Sequence, residues 1–214
     1  MSDTKENAME LISLTPNSFA SNCYLTVCGS HAYVIDPSAS VERILATLSQ
    51  HNAKCDGILL THGHFDHMLS LDALKEALPD APIIIHASDA ENLADGEKNA
   101  FATFFGYQHA YHAADKLVRE GDRLPLGDEQ LIVLHTPGHT KGSVCYLSSD
   151  GTLLLSGDTL FAEGYGRYDL YGGDGTALAA SLRRLAAFRA QNPILASGHG
   201  ETCRLTEALD ALGL

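Results

Sequence analysis

The stretch LLTHGHFDHM, residues 59–68, sets three histidines and an aspartate within six positions, immediately after an apolar run. Polar groups crowded at the end of a buried strand are costly unless something binds them. In an extended segment His62 and His64 point the same way, about 6.6 Å apart along the chain, and can converge on one ion. Asp66 and His67 follow where the chain turns toward a helix, so they project from another backbone direction. Imidazole and carboxylate donors in this arrangement suit zinc, and also iron or manganese.

Three later stretches have the same form, an apolar strand running into a Gly beside a ligand-type residue. They are VLHTPGHTKGS with His139, LLLSGDTLF with Asp158, and ILASGHGE with His199. His135 lies within a strand, and Asp150 and Asp174 sit in Gly-flanked turns where Asp is common. These three are left out of the site.

The surrounding chain reads as alternating strands and helices. Apolar runs bounded by turn residues predict strands within 22–29, 31–37, 55–62, 81–87, 130–138, 143–158 and 193–200. The run 143–158 is folded back at Asp150-Gly151, a hairpin signal. Helical periodicity marks 40–51, with Ser40 as N-cap, then 67–80, ended by Pro79, 176–193, ended by Pro193, and 205–214. Strands that begin as hairpins and then alternate with helices, in a loosely repeated order, imply two sheets packed face to face with helices outside.

A chain of 214 residues suits one domain spanning 1–214. Against 14 Lys and Arg stand 27 Asp and Glu, a net charge of −13. That balance argues against nucleic acid or an anionic membrane as partner and for a small molecule. The N-terminus lacks the pattern of a secretory signal, and no apolar run is long enough for a membrane span. Five scattered cysteines without a CxxC pair suit a reducing compartment, so a cytoplasmic location is expected. The aromatic-rich stretch 99–112 reads either as core packing or a subunit contact, or as a wall over a pocket. A monomer or small homo-oligomer is expected.

The order HxHxDH, GH, GD, GH resembles the metallo-β-lactamase superfamily. With NCYL (22–25), VIDPS (34–38), TPGHTKGS (136–143) and GRYDLYGGD (166–174), the chain is most similar to the short, glyoxalase II-like branch, over roughly residues 12–200. The resemblance implies an α/β fold, a four-layer αββα sandwich, with two divalent metals at one edge, zinc foremost. It assigns His62, His64 and His139 to one ion and Asp66, His67 and His199 to the other, with Asp158 bridging. Asp66 would also orient a metal-bridging hydroxide that attacks a thioester of the S-lactoylglutathione type. Asp36, in VIDPS, is read as a hydrogen bonder behind the ligands.

In the glyoxalase II-like branch, the loop after the bridging aspartate contacts substrate. Here that loop is FAEGYGRYDLYGG (161–173), and Arg167 stands where a substrate-binding cation belongs. An internal Arg167–Asp169 pair is the competing reading. Tyr165, Tyr168 and Lys141 are further candidates for the pocket rim. Two features depart from the pattern. Full-length glyoxalase II enzymes carry a helical C-terminal domain, whereas this sequence ends shortly after His199; and Tyr168 replaces the Thr common in the GRTD of short members. Two other activities of this fold remain open, a persulfide dioxygenase with a single iron and a lactonase or other ester hydrolase.

Overall fold

A computed structural model describes residues 8–14 and 20–214. Six strands form the first sheet: β1 (Glu10–Ser13), β2 (Tyr24–Cys28), β3 (His31–Ile35), β4 (Lys54–Leu59), β5 (Ile83–His86) and β6 (Lys116–Val118), in that spatial order. The pairs β1–β2 and β2–β3 are antiparallel, whereas β3 through β6 run parallel. The second sheet contains β7 (Arg123–Leu126), β8 (Glu129–His135), β9 (Val144–Ser148), β10 (Leu153–Gly157), β11 (Ile194–Ser197) and β12 (Cys203–Arg204), also in sequential spatial order. Its one parallel pair is β10–β11.

Five helices complete the fold: α1 (Val41–Gln50), α2 (Leu71–Ala77), α3 (Phe101–Phe105), α4 (Gly175–Leu185) and α5 (Leu205–Ala211). The strand alternation sorts side chains into three apolar layers. Tyr24, Ile35, Leu59, Leu131, Tyr146 and Leu155 meet between the sheets. Val34, Ile58 and Leu60 face the other way, onto Ile44 and Leu48 of α1 and Leu71 and Leu74 of α2. On the far side, Leu154 and Leu195 pack with Leu178 and Leu182 of α4 and Leu209 of α5. Strands covered on both faces lose the polar alternation of a half-exposed sheet, which explains the near-continuous apolar runs in the sequence. The result is the expected αββα sandwich.

Ser40 caps α1 by accepting from Arg43 N at 3.4 Å. The helix expected over 67–80 is shorter, because Phe65–His67 forms a tight 3₁₀ turn and α2 begins at Leu71. Strands β1, β6, β7 and β12 and helix α3 were not expected. They are two to five residues long, too short for periodicity to register.

Candidate metal centre

The groups anticipated as ligands come from strand ends at one edge of the sandwich. His62 and His64 follow β4, His139 follows β8, Asp158 directly follows β10, and His199 follows β11. The turn at Phe65–His67 redirects the chain, so Asp66 and His67 approach from a second side. All seven donors assemble around one point of the structure, in overlapping sets that could each hold a metal ion: His62, His64 and His139; His62, His67 and Asp158; Asp66, His67 and His199.

In the first set three ring nitrogens form a nearly equilateral triangle. His62 Nε2 to His64 Nδ1 is 3.2 Å, His64 Nδ1 to His139 Nε2 is 2.9 Å, and His139 Nε2 to His62 Nε2 is 3.1 Å. Three imidazoles facing one another cannot all share protons, yet tetrahedral bonds of 2.0–2.1 Å to one ion put donor nitrogens about 3.3 Å apart. The triangle fits that spacing.

In the third set His199 Nε2 lies 3.2 Å from Asp66 Oδ2. Asp158 stands between the sets, with Oδ1 3.2 Å from His67 Nε2 and Oδ2 3.6 Å from His139 Nε2 and 3.5 Å from His199 Nε2. His67 Nε2 and Asp158 Oδ1, both buried, have no hydrogen-bond partner despite their proximity. Orphaned buried polar atoms are rare, and a cation between them would satisfy both.

The opposite faces of three rings are held by fixed partners. His67 Nδ1 donates to Asp36 Oδ2 at 2.9 Å. His62 Nδ1 meets Thr61 Oγ1 at 3.1 Å, and that hydroxyl donates to the same Asp36 oxygen at 2.7 Å. Asp36 Oδ1 accepts from Thr61 N at 2.8 Å. His139 Nδ1 is 2.6 Å from the carbonyl of Arg167. With their protons placed on Nδ1, these rings present Nε2 lone pairs to the centre.

Electrostatics separates the two halves. Burial, followed by the neighbouring histidines, pushes His62 well below its ordinary pKa. His64 falls to about 3, from burial and His139. Burial also opposes charge on His67, but Asp158, Asp36 and Asp66 outweigh it and hold that ring well above the ordinary value. Asp66 and Asp158 are held below theirs, because the facing histidines outweigh the penalty of burial.

Two glycines, Gly198 beside His199 and Gly166 in the Arg167 loop, lie directly against Asp158. A Cβ at Gly198 would lie 2.1 Å from Asp158 Oδ1, and one at Gly166 would lie 2.0 Å from the Asp158 carbonyl. Close approach of backbone to the ligands leaves no room for a side chain.

A 183-residue span, 17–199, matches the model of the metallo-β-lactamase superfamily. This chain belongs to that superfamily. Among its relatives, the "Probable metallo-hydrolase YqgX" of Bacillus subtilis is 35% identical over 187 residues, covering 87% of this chain and 88% of that one. A hydroxyacylglutathione hydrolase of Cereibacter sphaeroides is 34% identical over 174 residues, 81% of this chain and 59% of the longer enzyme. Among solved structures, the BLEG-1 B3 metallo-β-lactamase superimposes with a TM-score of 0.84 at 31% identity, covering 94% and 97% of the two chains. TTHA1623 in a di-iron-bound form gives 0.78 at 35% identity, covering 94% and 96%. The chain is accordingly a metallo-hydrolase of the metallo-β-lactamase superfamily, with a His/Asp cluster for two metal ions.

Over this cluster opens a cavity of about 360 Å³, floored by His64, Asp66, His139, Asp158 and His199. Arg167 lines it, but the guanidinium is paired with Asp169 through Nε–Oδ1 at 2.6 Å and Nη2–Oδ2 at 2.8 Å. Tyr165, Tyr168 and Lys141 are not among the residues that line it. The Tyr168 ring is turned onto Gly175, and Lys141 Nζ sits 4.9 Å over the Tyr171 ring instead.

Sequence reading missed Asp89. Fully buried, it accepts from Gly63 N at 3.0 Å, Thr140 Oγ1 at 2.6 Å and Gly142 N at 2.6 Å. One carboxylate thus ties the His62–His64 loop to the His139 loop. Nothing in the SDAEN context marks it, since its partners are two backbone amides and a hydroxyl far away in sequence. Among the described residues no helix is long and apolar enough to cross a membrane.

Proposed function

We propose that this protein hydrolyses a thioester of the S-lactoylglutathione type at a two-metal centre. His62, His64 and His139 would hold one ion, Asp66, His67 and His199 the other, and Asp158 would bridge them; zinc is the first choice for both. Two divalent ions supply Lewis acidity and lower the pKa of water toward ~7, so that hydroxide is available at neutral pH.

The chain's own groups prepare the rest. Asp66, kept ionised, faces the cavity as an acceptor that orients the attacking water. Asp36 and the Arg167 carbonyl fix the rings behind it. The observation that carries the thioester reading is the lack of a proton donor. Among the described residues lining the cavity, the aspartates are held ionised, the histidines face the metal positions, and Arg167 is tied to Asp169. An amine leaving group needs a proton at departure, whereas a thiol, of pKa ≈ 8.5, leaves as thiolate.

The test is the disappearance of S-D-lactoylglutathione, followed by thioester absorbance with purified, metal-replete protein, with a β-lactam and a lactone in parallel. A kcat/KM at or above ~10⁴ M⁻¹s⁻¹, the lower end of ordinary enzymes, supports the reading. Turnover of the lactam or lactone alone would refute it. Metal analysis on the same sample distinguishes two ions from the single iron of a persulfide dioxygenase.

A further inference from the structure

The cavity has an apolar side with a defined position relative to the metal cluster. Phe65, directly before the ligand Asp66, is buried and packs edge-on or tilted against Phe101, Phe104 and Phe105 at centroid distances of 5.6, 5.5 and 5.4 Å. Helix α3, which carries those rings, is locked to the ligand loop rather than loosely draped over it. Phe65 N donates to the Asn99 carbonyl at 3.0 Å. Asn99 Oδ1 accepts from Phe101 N at 3.0 Å, and Asn99 Nδ2 donates to the His109 carbonyl at 3.0 Å. The helix is entered through Ala100 at φ 66° and left through Gly106 at φ 78°, two left-handed residues that set its angle. Phe104, 49% exposed, is thereby presented to the cavity together with Ala100, Phe161 and Leu170.

Charge is arranged to the same effect. Arg167 is the one Lys or Arg among the described cavity-lining residues, and Asp169 occupies its fork. The adjoining groove past Phe161 and His199 carries Glu163 and Glu201. A substrate arm lying against the wall therefore gains from apolar surface and finds no unpaired cation for a carboxylate.

We propose that Phe104, with Phe65 and Leu170, is a specificity wall that selects an apolar acyl chain on the thioester in preference to lactoyl. The inference rests on the thioester reading, keeps its bond type and reaction, and replaces lactoyl by an apolar acyl group as the preferred one. The acyl arm is the one assigned to the wall because biological thiol carriers are themselves polar and charged; the carrier extends through the open mouth. A buried methylene is worth about fourfold in binding, and on a half-open wall a hexanoyl chain should gain about tenfold in all.

The experiment compares hexanoyl and lactoyl thioesters of one uncharged thiol, N-acetylcysteamine, on the metal-replete protein. The expected kcat/KM ratio favours hexanoyl by about tenfold. Phe104→Ala should cut that ratio at least threefold, and Phe104→Leu should keep most of it. Equal or reversed preference in the unaltered protein, or a ratio indifferent to Phe104→Ala, overturns the wall. If neither thioester is cleaved and S-D-lactoylglutathione also survives, the thioester reading falls, and calorimetric binding of hexanoate against lactate to the metal-loaded protein decides the wall alone. Tighter hexanoate, weakened by Phe104→Ala, upholds it; equal affinities overturn it.

Discussion

Replacing Asp36 by Asn should disable metal binding at the His67 side while leaving the fold in place. Asp36 is 2% exposed and receives three hydrogen bonds, from Thr61 N, Thr61 Oγ1 and His67 Nδ1. An Asn of the same shape can still accept from Thr61 N through its carbonyl. Its amide then faces His67 Nδ1, donor against donor, unless the imidazole moves its proton to Nε2. That tautomer satisfies the Asn and points an N–H at Asp158 and the metal position, where a lone pair is required. Loss of such a partner typically costs 10–100-fold in metal affinity, about 1.4–2.8 kcal/mol.

The opposing effect is that His67, deprived of an anion, gives up its proton more easily. It vanishes once the pH has passed the raised pKa of His67, where the ring is neutral in both proteins, so affinity is best measured there. Chelator competition should give one ion bound as in the parent protein and a second bound at least tenfold more weakly. Nitrogen-15 NMR of the metal-free variant should place the His67 proton on Nε2. Two ions bound within twofold of the parent affinity would refute the assignment of Asp36 as the group that sets this tautomer.

Other expectations follow from neighbouring contacts. Asp89→Ala strands two backbone amides, while the Thr140 hydroxyl keeps Ser143 Oγ at 2.7 Å; at ~1–3 kcal/mol per stranded group the cost is roughly 2–6 kcal/mol, seen as a melting temperature lower by roughly 10 °C. Gly198→Ala drives a Cβ against Asp158 Oδ1 and His67 Cε1, and metal analysis should find less than the parent complement. Asp158→Ala should abolish turnover and lower the bound metal; full turnover would refute its bridging place. Metal uptake should also report the split in histidine pKa. His67, raised, must lose a proton to become a ligand, so affinity on its side should climb up to tenfold per pH unit until the pH passes its pKa. His62 and His64, depressed, are already neutral and add no such slope; calorimetry in buffers of different ionisation enthalpy counts the protons.

The spacing of His62, His64, Asp66 and His67, and the recurrence of Gly beside His139, Asp158 and His199, made the ligand candidates legible in sequence. The double-faced strands and the capped α1 were equally legible, because burial pattern and capping are local properties written in consecutive residues. The direction of Arg167 was open until its pairing with Asp169 was seen. The aromatic stretch divides between both readings: Tyr111 is buried in the core, and Phe104 lines the cavity.

The supply of donors and the layered αββα plan follow from residue type and short-range period. Which groups stand behind those donors, and what faces them, was fixed by packing. Asp36 reaches His67 across 31 positions and Asp89 reaches Gly142 across 53. Hydrogen bonds of that kind depend on how strand ends converge when two sheets close over one core. No periodicity records such a convergence, because the partners become neighbours only when the apolar layers pack.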